Sequence, residues 1–296
     1  MKAKTILAVV VMLLAVAGTA RANFSLSVSQ ELIVKSAHEW GRLYDQSKAW
    51  IVTGGVVSNY ILAYSTSTVN VSGGNVGGSA GYLYAYDSST VNVSIGSVSN
   101  GFRAYNSSTI NISGGWVNYL RAFGTSTANV SDDGRVMNSL YAQESSTVNM
   151  YGGEVVNTLG AYDSGLVNVS GGVVNTLEAY DSGLVNVSGG EMGHLNTFGA
   201  STMNVSGGSA GYLNACDTST MTFDGKDFVL GTGLLPDGDK VLGMGVLSGK
   251  WLNGTPWTVT ISRNDPGATI LLVPEPATLS LLALAGLAVL RRRRMA

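Results

Sequence analysis

Four aspartates occupy equivalent places in a repeated segment of this chain, and they are its strongest candidates for acid–base chemistry. They are Asp87, Asp163, Asp181 and Asp217, and each is followed by Ser or Thr. Cleavage of a polysaccharide by paired carboxylates requires two acids about 5 to 10 Å apart in different environments. Aspartates in one repeated context share one environment, and no column of Lys or Arg accompanies them. The pattern therefore favours a role in turns.

Other residue types that bind metals or act as nucleophiles are scarce. His38 and His194 are the only histidines and lie far apart in the sequence, so neither a histidine metal site nor a catalytic triad is expected. Cys216 is the lone cysteine, which rules out an intramolecular disulfide and indicates a packing role. The glycine-rich calcium nonapeptide is absent, which leaves weak calcium binding at the aspartates as a minor alternative. We predict no catalytic residues, no metal site and no cofactor.

These aspartates belong to a repeat with an average period of about 19 residues. The core of the repeat is Ser-Thr-Val-Asn-Val-Ser-Gly-Gly, with degenerate copies centred on Ile51 and Thr222. Its asparagine recurs at Asn70, Asn92, Asn111, Asn129, Asn149, Asn168, Asn186 and Asn204. Such self-similarity is the signature of a solenoid, in which each repeat is one structural unit.

A second block, Leu-x-Ala-Tyr, lies at a constant distance before each copy of the core. Its first residue stands nine positions before the matching Asn or Thr, at Ile61, Leu83, Phe102, Leu120, Leu140, Leu159, Leu177, Leu195 and Leu213. Because alternate side chains of a strand share a face, the two valines of Val-Asn-Val point inward, as do the Leu and Ala of Leu-x-Ala. Gly-Gly and Asp-Ser pairs suit the corners, and the variable spacing before each Leu indicates loops there.

The pattern predicts an all-β fold: a right-handed parallel β-helix (solenoid) of about ten rungs of about 19 residues. A β-propeller needs blades of roughly 40 to 50 residues, and an antiparallel sandwich would show paired hairpin turns. Leucine-rich repeats share the period but require several leucines in each repeat. These three alternatives are therefore disfavoured.

Two outward columns could carry a function. The asparagines should form a structural amide ladder from rung to rung. A column of aromatic residues, interrupted by Gln143 and Cys216, comprises Tyr64, Tyr86, Tyr105, Phe123, Tyr162, Tyr180 and Phe198. These rings could stabilise their neighbours as a ladder, or they could contact a saccharide or a partner surface. The sequence favours the ladder and leaves glycan or partner contact open.

The flanking segments indicate export. Two lysines, an apolar run and Ala20-Arg21-Ala22 form a secretory signal peptide. Without it and the basic tail, the body carries ten basic and 18 acidic residues, a net charge of about −8 that argues against nucleic acid as a partner. The predicted organisation is a signal peptide at 1–22, an N-terminal cap at 23–50, repeats at 51–223, a C-terminal β cap at 224–272 and a sorting signal at 273–296. We expect a helix over 29–48 in the N-terminal cap. In the C-terminal cap, Trp251 and Trp257 should cover the last rung.

The tail has three parts in order. Pro274, Glu275 and Pro276 are followed by an apolar stretch at 277–290 and by Arg291, Arg292, Arg293 and Arg294. This arrangement resembles the PEP-CTERM sorting signal, with a short transmembrane helix and a basic stop. The resemblance implies that an exosortase recognises the Pro-Glu-Pro motif and that the protein reaches the surface or the extracellular matrix after a transient inner-membrane stage.

The repeats also resemble the β-helix passenger regions of autotransporter adhesins, although we expect no membrane barrel after them. Together these features indicate a non-catalytic structural or adhesive protein of the cell surface or the exopolysaccharide matrix. Its expected partners are an exosortase and, after release, exopolysaccharide or surface molecules. The alternative from another class is a polysaccharide-degrading β-helix enzyme, either a lyase or a glycoside hydrolase.

Overall fold

The computed structural model describes residues 22–78 and 81–274, in which there are 27 strands and no helix. The strands are β1 (Ala22–Leu26), β2 (Glu31–Val34), β3 (Ala37–Leu43), β4 (Lys48–Ile51), β5 (Val56–Ala63), β6 (Thr68–Val76), β7 (Tyr82–Ala85), β8 (Thr90–Val98), β9 (Gly101–Ala104), β10 (Thr109–Ile112), β11 (Trp116–Val117), β12 (Leu120–Ala122), β13 (Thr127–Val130), β14 (Arg135–Val136), β15 (Ser139–Ala142), β16 (Thr147–Met150), β17 (Glu154–Ala161), β18 (Leu166–Val169), β19 (Val173–Ala179), β20 (Leu184–Thr197), β21 (Thr202–Ala215), β22 (Thr220–Leu230), β23 (Leu234–Asp237), β24 (Lys240–Gly243), β25 (Gly245–Lys250), β26 (Pro256–Asn264) and β27 (Thr269–Pro274).

The strands stack into three parallel sheets that wind around one core. The asparagine sheet runs from β2 through β10 and β18 to β22, and contains the Val-Asn-Val segments. The leucine sheet runs from β1 through β12 and β19 to β21, and contains the Leu-x-Ala segments. A narrower valine sheet is formed by pairs such as β11 with β14. Long strands such as β20 turn a corner and contribute to more than one sheet, so the chain forms a continuous solenoid.

The register confirms the predicted β-solenoid of about ten turns of about 19 residues. Asn168 pairs with Asn186, and Leu177 pairs with Leu195, so equivalent residues of successive repeats lie side by side. Every member of the predicted leucine column is between 0 and 1 % exposed. Burying a Leu or Val side chain stabilises a fold by about 1.5 to 3 kcal/mol, and here each rung completes its core only against its neighbours.

Two kinds of corner let the chain turn so sharply. At the Gly-Gly corner of one rung, Gly172 has a φ of 86°, and a Cβ on Gly171 would approach the Tyr151 carbonyl oxygen to 2.4 Å. Only glycine fits both requirements. At the other corner the αL position is held by Asp, Asn, Ser, Glu or Gly, as at Asp87 with a φ of 57°. Asp and Asn tolerate αL better than other non-glycine residues.

A buried serine column completes this second corner, and sequence reasoning did not identify it. Its members lie at most 1 % exposed at Ser47, Ser67, Ser89, Ser108, Ser126, Ser146, Ser201 and Ser219. The Ser146 hydroxyl donates to the Ala122 carbonyl of the preceding rung at 2.9 Å and accepts from the Gln143 N–H at 2.9 Å. Ser47, Ser108, Ser126 and Ser201 likewise donate to a carbonyl of the preceding rung, whereas the hydroxyls of Ser67 and Ser89 have no hydrogen-bond partner among the described residues.

The helix expected over residues 29–48 is wrong, because this segment forms β2, β3 and part of β4. In β2 the buried residues alternate: Leu32 and Val34 are buried, whereas Ile33 is 42 % exposed. That is the period of a strand, and β2 pairs in parallel with β4. Solenoid pairing thus begins before residue 51. The residue aligned with Asn70 is Trp50 and not Ile51, which pairs with Val71 in the core.

Residues 224–272 combine parallel and antiparallel pairing, since β26 and β27 still pair in parallel with β21 and β22. Strand β25 pairs antiparallel with both β22 and β26, and β23 forms a hairpin with β24. Trp251 and Trp257 stack at 4.8 Å between ring centroids, and Trp257 lies 5.3 Å from Phe223 of β22. The indole of Trp251 also donates to the Gly208 carbonyl at 2.8 Å. These two tryptophans therefore pack on the edge of the last parallel turns.

Candidate functional site

The asparagine column forms one continuous ladder on the outside of the asparagine sheet. Each side-chain amide donates to the amide oxygen of the preceding rung, over seven bonds from Asn92→Asn70 to Asn204→Asn186. The donor–acceptor distances lie between 2.8 and 3.0 Å. Because the amides satisfy one another, this ladder holds the rungs in register and offers few free groups to a ligand.

The aromatic column forms two stacks on the outside of the leucine sheet. The first contains Tyr44, Tyr64, Tyr86, Tyr105 and Phe123, with centroids 5.0 to 5.2 Å apart. The second contains Tyr162, Tyr180 and Phe198, with centroids 4.8 and 4.5 Å apart. Gln143 separates the stacks, as the repeat pattern predicts, and the buried Cys216 follows the second. Tyr44 was missed because its rung does not match the repeat core.

Stacking limits what these rings can contact. Neighbouring planes lie within 11° of parallel, so each inner ring has both faces covered by its neighbours. A sugar ring packs on an aromatic face, and those faces are taken. The column therefore presents half-buried ring edges and a row of hydroxyl groups. This geometry favours stabilisation of the ladder over contact with a ligand, for which the hydroxyl groups offer hydrogen bonds.

The phenols of Tyr86 and Tyr162 are held in the neutral form. Burial, and to a smaller extent the neighbouring phenols, raises the pKa of Tyr86. Burial followed by the charge of Glu178 raises the pKa of Tyr162 far above its ordinary value. Both residues thus remain hydrogen-bond donors and acceptors at neutral pH, with no negative charge.

A second outward column, here named the central column, lies between the Leu and Ala columns of the leucine sheet. Parallel pairing places its members in the order Arg42, Leu62, Tyr84, Arg103, Arg121, Tyr141, Gly160, Glu178, Asn196 and Asn214. Sequence reasoning missed this column because its residue types share no pattern. The stacked rings of Trp40 and Tyr60 and the neighbouring Tyr82 lie beside its first members.

Three arginines of this column rest on aromatic rings. The guanidinium carbon of Arg42 lies 5.0 Å from the Trp40 ring centroid, and that of Arg121 lies 5.7 Å from the Tyr141 centroid. The guanidinium of Arg103 lies 5.4 Å from the Tyr82 centroid and 6.0 Å from that of Tyr84. Such cation–π contacts hold a guanidinium against the sheet. The result is a cationic aromatic surface on a body with a net negative charge.

The far end of the central column has a different chemistry. Asn214 donates to Asn196 at 2.9 Å, and Asn196 donates to Glu178 at 3.3 Å. The Tyr162 hydroxyl donates to the other carboxylate oxygen of Glu178 at 3.5 Å. These groups satisfy one another, so this end resembles the asparagine ladder more than a binding surface.

Three of the four corner aspartates, Asp87, Asp163 and Asp217, are engaged with the backbone. The Asp87 carboxylate accepts from the Ser65 N–H at 2.9 Å, and the Asp217 carboxylate accepts from the Gly199 N–H at 3.0 Å. The donor in each case belongs to the preceding rung, and Asp163 accepts in the same way at 3.4 Å. This geometry gives the carboxylates the turn role that the sequence favours.

His38 and His194 lie on different rungs: His194 stacks on Tyr212, and His38 packs edge-on to Phe24. Within residues 22–78 and 81–274, no three His, Cys, Asp or Glu side chains converge as metal ligands. Burial raises the pKa of the Cys216 thiol, which keeps it protonated in its packed position.

The sorting signal begins where the described fold ends. Strand β27 ends at Pro274, which pairs with Gly225 of β22. Glu275, Pro276, the stretch at 277–290 and Arg291, Arg292, Arg293 and Arg294 lie outside the described residues, as does the expected signal peptide up to residue 21. No helix able to cross a membrane occurs in the part of the chain that the structure describes.

Comparisons with known proteins bear on the tail. A family model of the PEP-CTERM protein-sorting motif matches residues 272–294. No curated protein and no solved structure matches the chain. The motif implies export, processing by an exosortase and a cell-surface or extracellular location. The protein is therefore a β-solenoid that carries a PEP-CTERM protein-sorting motif at residues 272–294.

Proposed function

We propose that this protein is a non-catalytic, adhesive rod of the exopolysaccharide matrix, and that the outer face of its leucine sheet contacts the polysaccharide. The observation that supports this most is the row of arginines and aromatic side chains that covers that face over successive rungs, from Trp40 to Tyr141. Exposed aromatic and arginine side chains are enriched at binding surfaces. A rigid sheet presents them without an ordering cost, which favours affinity.

The non-catalytic role is supported by the corner carboxylates. Asp87, Asp163 and Asp217 accept hydrogen bonds from the backbone of the preceding rung, so these carboxylates already serve the corners of the solenoid. If purified protein released reducing ends or unsaturated sugars from the host polysaccharide, and Asp163→Asn with Asp181→Asn abolished that release, the enzyme alternative would replace this proposal.

Sorting precedes this function. We propose that the apolar stretch at 277–290 anchors the exported chain transiently in the inner membrane until an exosortase cleaves near Pro274. Intact mass and cell fractionation in the native host test this step, beside a variant with Pro274, Glu275 and Pro276 replaced by alanine. Wild type should lose about the last two dozen residues, the span of the matched motif, and should leave the membrane. Retention of the tail by both proteins would contradict the processing step.

Matrix retention tests the binding role. Cells expressing the Tyr84→Ala/Tyr141→Ala variant should release more rod into the medium than wild-type cells, because both rings lie on the arginine-bearing face. Tyr212→Ala is the matched control: it removes a ring that is 49 % exposed from the same sheet at its far end. Equal release by the variant and the control would contradict a contact at this face.

A further inference from the structure

We propose that Arg103 and Arg121, flanked by Tyr84 and Tyr141, form a binding site for the carboxylate groups of an acidic polysaccharide. This inference rests on the proposed function and adds to it the chemical class of the ligand and the part of the rod that binds it. The four residues occupy four successive strands of the leucine sheet, in the order Tyr84, Arg103, Arg121 and Tyr141.

The two arginines are a like-charge pair on neighbouring strands. Arg103 and Arg121 are register partners, so their Cα atoms are separated by about the 4.8 Å spacing of adjacent strands. Like charges directly opposite each other destabilise a sheet. A bound anion would offset this repulsion. It would thereby account for a pair that does not stabilise the fold itself.

Within residues 22–78 and 81–274, no side chain neutralises this pair. Among the residues that the structure describes, no carboxylate lies within ion-pair distance of Arg103 or Arg121, whereas four other cations have partners: Lys48 with Glu31, Arg135 with Glu154, Lys250 with Asp227, and Arg263 with Asp265. The nearest acid in the central column is Glu178, which stands beyond Tyr141 and Gly160. Positive charge is thus concentrated and uncompensated at one place on an acidic body.

The aromatic neighbours preorganise the guanidinium groups. Arg103 is in contact with the rings of Tyr82 and Tyr84. Burial lowers its pKa, but the neighbouring phenols, above all that of Tyr105, outweigh burial, so the pKa is raised. Arg121 is exposed and rests on Tyr141. A guanidinium held in this way keeps its fork of N–H groups for a carboxylate, which it binds in a bidentate manner.

Tyr141 supplies an unstacked ring at the end of the pair. Its plane is 82° from that of Tyr162, unlike the parallel rings of the aromatic column. It lies against Gly160, where an added Cβ would approach the Tyr141 ring to 3.2 Å. Because Arg121 lies over this ring, a sugar can meet only the part of Tyr141 that Arg121 and Gly160 leave uncovered, while successive arginines meet successive acidic groups of an extended chain.

Polygalacturonate and its fully methyl-esterified form are suitable probes, because they share a backbone and differ in charge. Binding to the full, host-processed protein would be measured by affinity electrophoresis and calorimetry. We expect wild type to bind polygalacturonate at least tenfold more tightly than the ester, and Arg103→Gln/Arg121→Gln to lose at least tenfold in affinity. The Arg135→Gln/Arg263→Gln control changes the net charge equally and should bind like wild type.

Each other outcome has a definite meaning. Equal binding of both polymers, or undiminished binding by Arg103→Gln/Arg121→Gln, would overturn the acidic-ligand site but leave the proposed function standing. No binding to either probe or to the host polysaccharide would overturn both. If wild type sediments as a dimer and Arg103→Gln/Arg121→Gln as a monomer, this face is an interface between copies of the chain. The proposed polysaccharide site would then be wrong. Arg103→Lys/Arg121→Lys, which keeps the charge and loses the fork, should fold and bind with intermediate affinity.

Discussion

The outer face of the leucine sheet differs between its two halves, although the inner face is the same in both. Up to Tyr141, the central column carries arginines and aromatic rings in contact with one another. From Gly160 onward it carries small and polar groups that hydrogen-bond among themselves. The inner Leu and Ala columns are fully buried throughout. Stacking therefore constrains the inside of every rung equally and leaves the outside free to acquire a function in one half.

The largest expected effect concerns the shared inner column. Leu140→Ala in the arginine half and Leu195→Ala in the polar half should each lower the free energy of unfolding by about 2 to 5 kcal/mol, and by similar amounts. Both side chains are 0 % exposed. Urea unfolding followed by circular dichroism would measure this, and a clear difference between the two variants would show that the halves also differ inside.

The asparagine ladder should likewise contribute equally to both halves. Asn111→Ala and Asn186→Ala each remove one residue that donates one amide bond and accepts another. Loss of satisfied polar partners costs about 1 to 3 kcal/mol, so both variants should unfold at lower urea. Thr109→Ala, on the same strand and face as Asn111, is the control and should change stability by no more than about 0.5 kcal/mol. If Thr109→Ala lowered the stability as much as Asn111→Ala does, the effect could not be assigned to the asparagine ladder.

Gln143 is the point where the two aromatic stacks are interrupted, and filling it would sharpen the comparison. Its side-chain oxygen is buried without a hydrogen-bond partner. Gln143→Tyr should join the stacks and raise the stability by about 0.2 to 1 kcal/mol. Gln143→Leu removes the amide without adding a stackable ring, so a gain of the same size in this variant would mean that stacking adds nothing.

The smallest effect is a pH dependence from the aromatic column. Burial raises the pKa of Tyr64, Tyr86 and Tyr180 above 10.0 in the folded protein. The folded state then holds these protons more tightly than the unfolded state, so their contribution is complete below pH 10 and is lost as the pH rises past the folded values. Melting temperatures should therefore fall above pH 10. Ionisation of all tyrosines near pH 10 without any loss of stability would contradict this.

Much of the fold could be predicted because the repeat is local and regular. Alternation within Val-Asn-Val and Leu-x-Ala determines which side chains point inward, and the fixed nine-residue distance between the blocks aligns the columns. Prediction was wrong where the repeat degenerates. Around Leu32 and Trp40 no Gly-Gly or Asn marks the rung, so a short apolar segment was assigned to a helix although its burial alternates as in a strand.

The candidate site was only half predictable. The aromatic column was identified because Tyr64, Tyr86 and their equivalents share one residue type at one position in the repeat. That their faces are covered by stacking follows only from ring orientation, which depends on rotamers and not on spacing. Trp40 and Tyr60 were missed for a similar reason, since the position before the Leu varies too much from repeat to repeat to form a pattern.

The period, the inward columns, the asparagine register and the sorting tail follow from the amino-acid sequence alone, because each depends on consecutive residues or on one repeated residue type. Only the tertiary structure placed Tyr84, Arg103, Arg121 and Tyr141 side by side. The physical reason is that a solenoid makes neighbours of residues one turn apart, whatever their type. An unneutralised pair of arginines becomes visible only when adjacent rungs are stacked and every surrounding charge has been located.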